Sequence, residues 1–198
     1  GTAARGLTIP ERKETSGSAR TCTSRPRRVD YAPVNTLVIL NPWSGRGRGK
    51  KYRAQVQRGL KDAGIAYDFV ETTGPGHALG LARDAAVSGV ERIIIAGGDG
   101  AIHEAVNGML QAPLADDGAT RPALGVIPLG TGNDFAKLLG VFRFPPEAAA
   151  ARIVRAETAI FDVGKALGEY FDNMLGVGFD AEALKQANKI KRLKGFAV

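Results

Sequence analysis

The chain has 198 residues and a mass of 20.8 kDa, room for one full domain and part of another. A composition of 44% hydrophobic and 24% charged residues is that of a globular protein, and no run approaches the roughly 20 apolar residues of a membrane span. Net charge is +7, but residues 1–30 hold seven Arg and Lys against three acids, a surplus of four, and show no aromatic interleaving, which argues against a nucleic-acid-binding stripe.

Residues 1–33 are rich in Ser, Thr, Arg, Gly and Pro without apolar periodicity. Such a segment buries too little surface to offset its ordering entropy and is expected to be a disordered basic tail. It lacks the apolar run of a secretory signal. It opens on Gly rather than Met, as a fragment or an extension does. Its charge suits peripheral contact with an anionic membrane surface. The lone Cys22 closes no internal disulfide, which fits a reducing cytoplasm, with the inner membrane face as the place of any contact.

From Val34 the chain becomes regular, and residues 34–157 read as one α/β domain. Thr36–Leu40 is an apolar run suited to a strand buried on both faces. A loop, Asn41–Gly49, precedes a helix carrying Tyr52, Val56, Leu60 and Ala63 at helical spacing. Ala66–Val70 is the second expected strand, and Thr72, Thr73 and Gly74 lead into a helix over 76–88. Arg92–Ala96 is a third strand, Gly97–Gly100 a tight loop, and 101–110 a helix. Ala123–Ile127 is a fourth strand, and Leu129–Gly132 opens a helix running to Leu139. Strands and helices alternating at this spacing imply a Rossmann-like parallel sheet covered on both faces.

Pro145 and Pro146 start one more helix, ending near Arg155, and there the alternation stops. Thr158–Val163 and Glu169–Leu175 read as two strands of an antiparallel hairpin with a Gly-containing turn. The boundary is expected at residue 157, with 158–198 an incomplete β-rich second domain. Residues 180–194 look helical and basic, either a lipid contact or a solvated face.

Three Gly-rich loops each follow an apolar strand and precede a helix, the place where parallel sheets bind ligands and where helix N-termini suit phosphate. The first, Asn41-Pro42-Trp43-Ser44-Gly45-Arg46-Gly47-Arg48-Gly49, with positive charge from Arg46, Arg48, Lys50 and Lys51, fits a close backbone approach to a ligand and equally a flexible surface turn with solvated charges; it lacks the Gly-Lys-Ser/Thr ending of a Walker A loop. The second, Gly97-Gly98-Asp99-Gly100, makes sense if amides wrap a polyphosphate while Asp99 orients Mg²⁺ through water. Asp99 as a mere cap of the following helix is the bland alternative, but a cap needs no flanking glycines. In the third, Gly130-Thr131-Gly132-Asn133, Thr131 and Asn133 offer donors for phosphate or ribose oxygens, and Asp134 reads as a first-turn carboxylate. His103 reads as a surface or packing residue, while Glu104 lies near enough to orient the Asp99 loop.

Together, Asn41-Pro42 with Ser44-Gly45, Gly97-Gly98-Asp99-Gly100 with Glu104 and Asn107-Gly108, and Gly130-Thr131-Gly132-Asn133-Asp134-Phe135-Ala136 resemble the diacylglycerol kinase catalytic domain, most closely that of bacterial soluble lipid kinases. Sphingosine and ceramide kinases are more distant kin. Phe171-Asp172-Asn173 and Gly176–Ala181 resemble that family's entry into its second domain. The resemblance implies an α/β domain like that of NAD kinases and phosphofructokinases, followed by a β-sandwich that is truncated here. It implies ATP in the cleft, Mg²⁺ on its phosphates and a lipid hydroxyl as acceptor, with diacylglycerol giving phosphatidic acid the simplest case. Asn41, Ser44, Gly45 and Arg46 then belong to a nucleotide loop. Gly97, Gly98 and Gly100 cradle phosphates, with Glu104 beside them, and Gly130, Thr131, Gly132 and Asn133 complete the ATP site. Asp99 is the catalytic and metal-managing carboxylate.

Two departures stand out. The family usually has Thr where this chain has Ala101, which removes a phosphate contact of a kind worth about 1.5–3 kcal/mol. The family's later Asp-Gly motif, source of the carboxylate that deprotonates the lipid, is absent before Val198, so the piece is expected to be catalytically impaired. The rivals are an NAD kinase-like or sugar kinase and a non-catalytic nucleotide-binding module. Residue pattern leaves the lipid and the oligomeric state open.

Overall fold

The computed structural model describes residues 36–113, 120–155, 158–176 and Glu182, all within the unit Ala32–Val198. The expected tail over 1–33 and, apart from Glu182, the expected basic helix over 180–194 lie outside the described residues.

Four strands, β1 (Thr36–Leu40), β2 (Asp68–Glu71), β3 (Arg92–Gly97) and β4 (Ala123–Pro128), form a parallel sheet in the order β2-β1-β3-β4. Their aliphatic runs are buried on both faces, as crossovers on both sides require. With Val38 paired to Ile94 and Ile39 to Ile95, neighbouring side chains of one strand alternate between two cores. Ile39, Ile93 and Ile95 join one cluster with α3 (His77–Val87) and α4 (Asp99–Gln111). Val38, Leu40, Ile94 and Ala96 join the other with α2 (Gly49–Asp62) and α6 (Pro146–Arg155). Each such fully buried Ile or Leu contributes about 1.5–3 kcal/mol.

Small residues set the helix spacing. On α4, Gly108 lies against the Leu79 carbonyl with no room for a side chain, and Ala78, Ala82, Ala101 and Ala105 are all buried in that cluster. Gly59 of α2 stands in the same way against the Glu147 backbone at the start of α6. At the far end of α4, Arg121 donates to the carbonyls of Met109 and Ala112, a cation at the negative end of the helix.

Several boundaries differ from expectation, among them the second hairpin strand, which ends at Phe171 rather than Leu175. β2 begins at Asp68 rather than Ala66, because Asp68 is the first residue to pair, opposite Leu37. β3 runs through Gly97 and α4 starts at Asp99, so the second loop shrinks to Gly98. Thr158–Val163 is not a strand. The hairpin pairs β5 (Gly164–Ala166) with β6 (Glu169–Phe171), because Leu167 and Gly168, with φ of 52° and 88°, make a two-residue turn that sets Ala166 opposite Glu169. Before it, Ile160 is 99% exposed, while Phe161 meets Phe135 edge-on with 6.0 Å between ring centroids.

Two short elements complete the set: α1 (Ser44–Gly47), a single turn, and α5 (Asp134–Leu138). The chain passes from β1 to β2 on one side and to β3 on the other, which places a topological switch point between the C-terminal ends of β1 and β3. Among the described residues no helix is long and apolar enough to cross a membrane.

Candidate active site

At that switch point the first loop is hooked to the second strand of the pair: the Asn41 N–H donates to the Ala96 carbonyl at 2.9 Å. Asn41 then closes its own turn, its Oδ1 accepting from the Trp43 N–H at 3.0 Å and its carbonyl from the Ser44 N–H at 3.2 Å. Gly45, Arg46 and Gly47 all have positive φ, at 61°, 64° and 83°. For Arg46 this conformation carries a strain of about 1–3 kcal/mol, a cost that clusters at functional sites.

The other two loops lock onto this one. Ser44, 8% exposed, accepts the Gly98 N–H on its Oγ at 3.1 Å. A methyl group on Gly45 would stand 2.5 Å from the Leu129 carbonyl oxygen. The Leu129 N–H donates to the Gly97 carbonyl at 2.8 Å, and Gly98 and Gly130 meet backbone to backbone. Within the third loop Asn133, at φ 54°, accepts the Gly130 N–H at 2.9 Å and returns a bond to its carbonyl at 3.1 Å. Thr131 and Gly132 remain exposed. Thus Asn41, Ser44, Gly45, Arg46, Gly97, Gly98, Gly100 and the 130–133 stretch converge on one edge of the sheet.

Asp99 does cap a helix, but not its own. Its Oδ1 accepts the N–H groups of Asp134 and Phe135, at 2.7 and 3.3 Å, at the start of α5. A methyl on Gly132 would come within 2.8 Å of Oδ2, so glycine there keeps that oxygen uncovered. Asp134, the expected first-turn carboxylate, pairs with Lys137 at 2.7 Å. Glu104 is placed differently from the expectation. Its two oxygens accept the Gly76 and Ala78 N–H groups, at 2.8 and 3.1 Å, and so hold the start of α3 rather than the loop of Asp99.

Residues 35–166 match the diacylglycerol kinase catalytic domain. The chain belongs to that family. It is 43% identical to a diacylglycerol kinase of Bacillus subtilis (strain 168) over 141 residues, covering 71% of this chain and 45% of the relative. It is 40% identical to a probable lipid kinase, YegS-like, of Chromohalobacter salexigens over 162 residues, or 81% and 50% of the two chains. The crystal structure of a diacylglycerol kinase from Bacillus anthracis str. Sterne superposes with a TM-score of 0.60 at 33% identity, covering 70% of this chain and 45% of that one. The chain spans about half the length of the curated relatives it matches.

Within this diacylglycerol kinase-type domain, the hairpin adds groups that the loop motifs do not name. Buried Asn107 clasps β6, donating to the Tyr170 carbonyl at 2.8 Å and accepting its N–H at 2.9 Å. One turn nearer Asp99, His103 lies between Glu169 and Asp172, at 3.7 and 3.9 Å. It is therefore part of a charged cluster beside the loops. The signal in the sequence was the ladder Asp99, His103, Asn107, Gln111, four residues apart on one helix face.

The Asp172 side chain is only 9% exposed, and burial pushes its carboxyl above the ordinary 3.8; a backbone hydrogen bond and His103 pull it down, while Asp99 pushes it up. A raised folded-state value means that Asp172 supports folding below 3.8 and that this support is lost as pH rises through the raised value. Asp172→Asn is therefore expected to gain on the parent in urea denaturation at neutral pH, with the gap closing below 3.8. A gap of equal size at both pH values would assign the effect to packing.

Proposed function

We propose that this chain is the nucleotide-binding part of an ATP- and Mg²⁺-dependent lipid kinase that phosphorylates the hydroxyl of diacylglycerol or a similar lipid. The observation that carries the reading is the interlock of three glycine-lined turns around Asp99. Phosphoryl transfer depends mostly on positioning and electrostatics, and these turns supply both. The turns 44–46, 97–100 and 130–133 line the phosphates; the N–H groups of Ser44, Gly98 and Gly130 are spent on holding these turns together, with Asn41 and Asn133 fixing them, and Thr131 is free to donate. Glu104 acts at one remove, by holding α3 against α4.

The metal fits the donors present. Among the described residues no three His, Cys, Asp or Glu side chains cluster into a protein-only metal site. A lone carboxylate suits Mg²⁺, which keeps several waters and takes further ligands from phosphate. Asp99, with Oδ1 held by α5 and Oδ2 left uncovered by Gly132, is the residue to orient it. Bound there, the ion neutralises charge on the transferring phosphoryl group.

Residues 34–157 form the nucleotide-binding domain in this reading, and 158–198 begin a second, acceptor-side domain. The protein acts from the cytoplasm on lipid at the inner membrane face, drawn there by its basic excess. The test is the protein of the whole reading frame with labelled ATP and three acceptors: diacylglycerol, NAD and fructose 6-phosphate. Label in phosphatidic acid alone is expected. Label in either soluble acceptor, or tight ATP binding without any transfer, would replace the lipid-kinase reading by one of its rivals.

A further inference from the structure

On the α2–α6 side of the sheet a cavity of about 450 Å³ opens next to Leu129 and Gly130. Its polar and aromatic lining is Arg48, Tyr52, Gln55, Arg143, Phe144 and Glu147. These come from three separate stretches: the start of α2, the connection after α5, and the first turn of α6. Asp99, Gly98 and Gly132 are not among its walls, and of the stretches 44–46, 97–100 and 130–133 only Gly130 borders it.

Its charge is lopsided. Arg48 spends its Nε on the Gly45 carbonyl, at 2.9 Å, and Arg143 lies over the Phe142 ring at 5.1 Å. Neither forms an ion pair with a carboxylate among the described residues, Glu147 included. A third cation, Arg152, sits 4.8 Å over the face of Phe144. Guanidinium forks without carboxylate partners are the side chains best suited to a doubly charged oxyanion. The volume falls in the range of small-ligand pockets, about 300–1,000 Å³, well beyond what a phosphate group fills. The space left over borders Phe144, Pro145 and Pro146, an apolar wall for the group that carries the phosphate.

We propose that this cavity is a second ligand site, taking a phosphomonoester between Arg48 and Arg143 with its organic remainder against Phe144. The phosphomonoester can be the headgroup of phosphatidic acid or a small soluble ester, and the test separates them. The protein is saturated with a non-hydrolysable ATP analogue and titrated with glycerol 3-phosphate, then mixed with phosphatidylcholine vesicles with and without phosphatidic acid. Ester binding in the presence of the analogue is expected, weakened about tenfold or more in Arg143→Gln with affinity for the analogue unchanged. If the source is lipid, Arg143→Gln also lowers recruitment to the phosphatidic acid vesicles; if it is soluble, recruitment is unaffected and the titration alone changes. Displacement of the ester by the ATP analogue would assign it to the nucleotide loops and overturn the proposal. So would equal ester binding by Arg143→Gln and the parent.

Discussion

In the protein of the whole reading frame, and on the proposed lipid-kinase reading, Asp99→Asn is expected to lower phosphoryl transfer about a hundred- to a thousandfold while leaving the fold and ATP binding nearly intact. The reason lies in the division of labour between its two oxygens. Oδ1 accepts two amides at the head of α5, and an asparagine carbonyl can accept the same pair. What asparagine lacks is the negative charge that holds a hydrated cation firmly, and removal of one preorganised electrostatic element typically costs 10²–10³ in kcat, roughly 2.7–4 kcal/mol. The Mg²⁺ dependence of residual turnover should weaken with it.

Asp99→Ala separates the two roles. It removes the charge and also leaves the Asp134 and Phe135 amides without their acceptor, a helix-cap loss of about 0.5–2 kcal/mol. Alanine should thus lower thermal stability and ATP affinity as well as turnover, where asparagine lowers turnover alone. The measurements are labelled-ATP transfer, a Mg²⁺ titration and a melting curve on both variants. Full turnover in Asp99→Asn would show that this carboxylate is a structural cap and nothing more, and the proposed mechanism would fall.

The parallel sheet and the convergence of its loops were legible in the chain because they rest on local signals. Thr36–Leu40 and Arg92–Ala96 are too apolar for an exposed strand, and glycines after each strand end mark turns. The partners of individual carboxylates were not legible. Glu104 lies 28 residues from Gly76, and Asp99 lies 35 from Asp134, so nothing local announces that each caps a neighbouring helix. Asp172 was visible in the Phe171-Asp172-Asn173 stretch, but its neighbours were not, for the same reason: His103 and Asp99 sit on α4, across the hairpin.

Thr158–Val163 misled in the opposite direction. Its apolar and β-branched residues satisfy strand propensity, but a strand needs a partner, and β6 is already taken by Gly164–Ala166 through the turn at Leu167 and Gly168. Local pattern therefore sufficed for elements whose partners the crossovers dictate. It failed where turn geometry chose between two adjacent candidates.

One substitution, glycine to alanine, should have opposite effects at two places in this fold. At Gly130 the new methyl would lie 2.6 Å from the Gly98 Cα and 2.6 Å from Asn133 Oδ1. The Gly98 backbone cannot retreat cheaply, since its N–H is held by Ser44 and the neighbouring Gly97 carbonyl by Leu129. Overpacking of this kind costs about 1–3 kcal/mol, and here the strain falls on the contact that keeps the loops in register. Gly130→Ala is expected to weaken ATP binding by about tenfold to a hundredfold, a fall of roughly 1.4–2.8 kcal/mol. At Gly80, inside α3, a methyl would meet nothing within 4 Å and φ is not positive, so alanine there only removes backbone freedom from the unfolded chain. Gly80→Ala should raise stability by about 0.5–1 kcal/mol and leave ATP binding alone. Calorimetric titration with ATP and urea denaturation of both variants would read the contrast directly. Unaltered ATP affinity in Gly130→Ala would mean that the nucleotide does not depend on the close meeting of these loops, and the site would have to be sought elsewhere on the sheet.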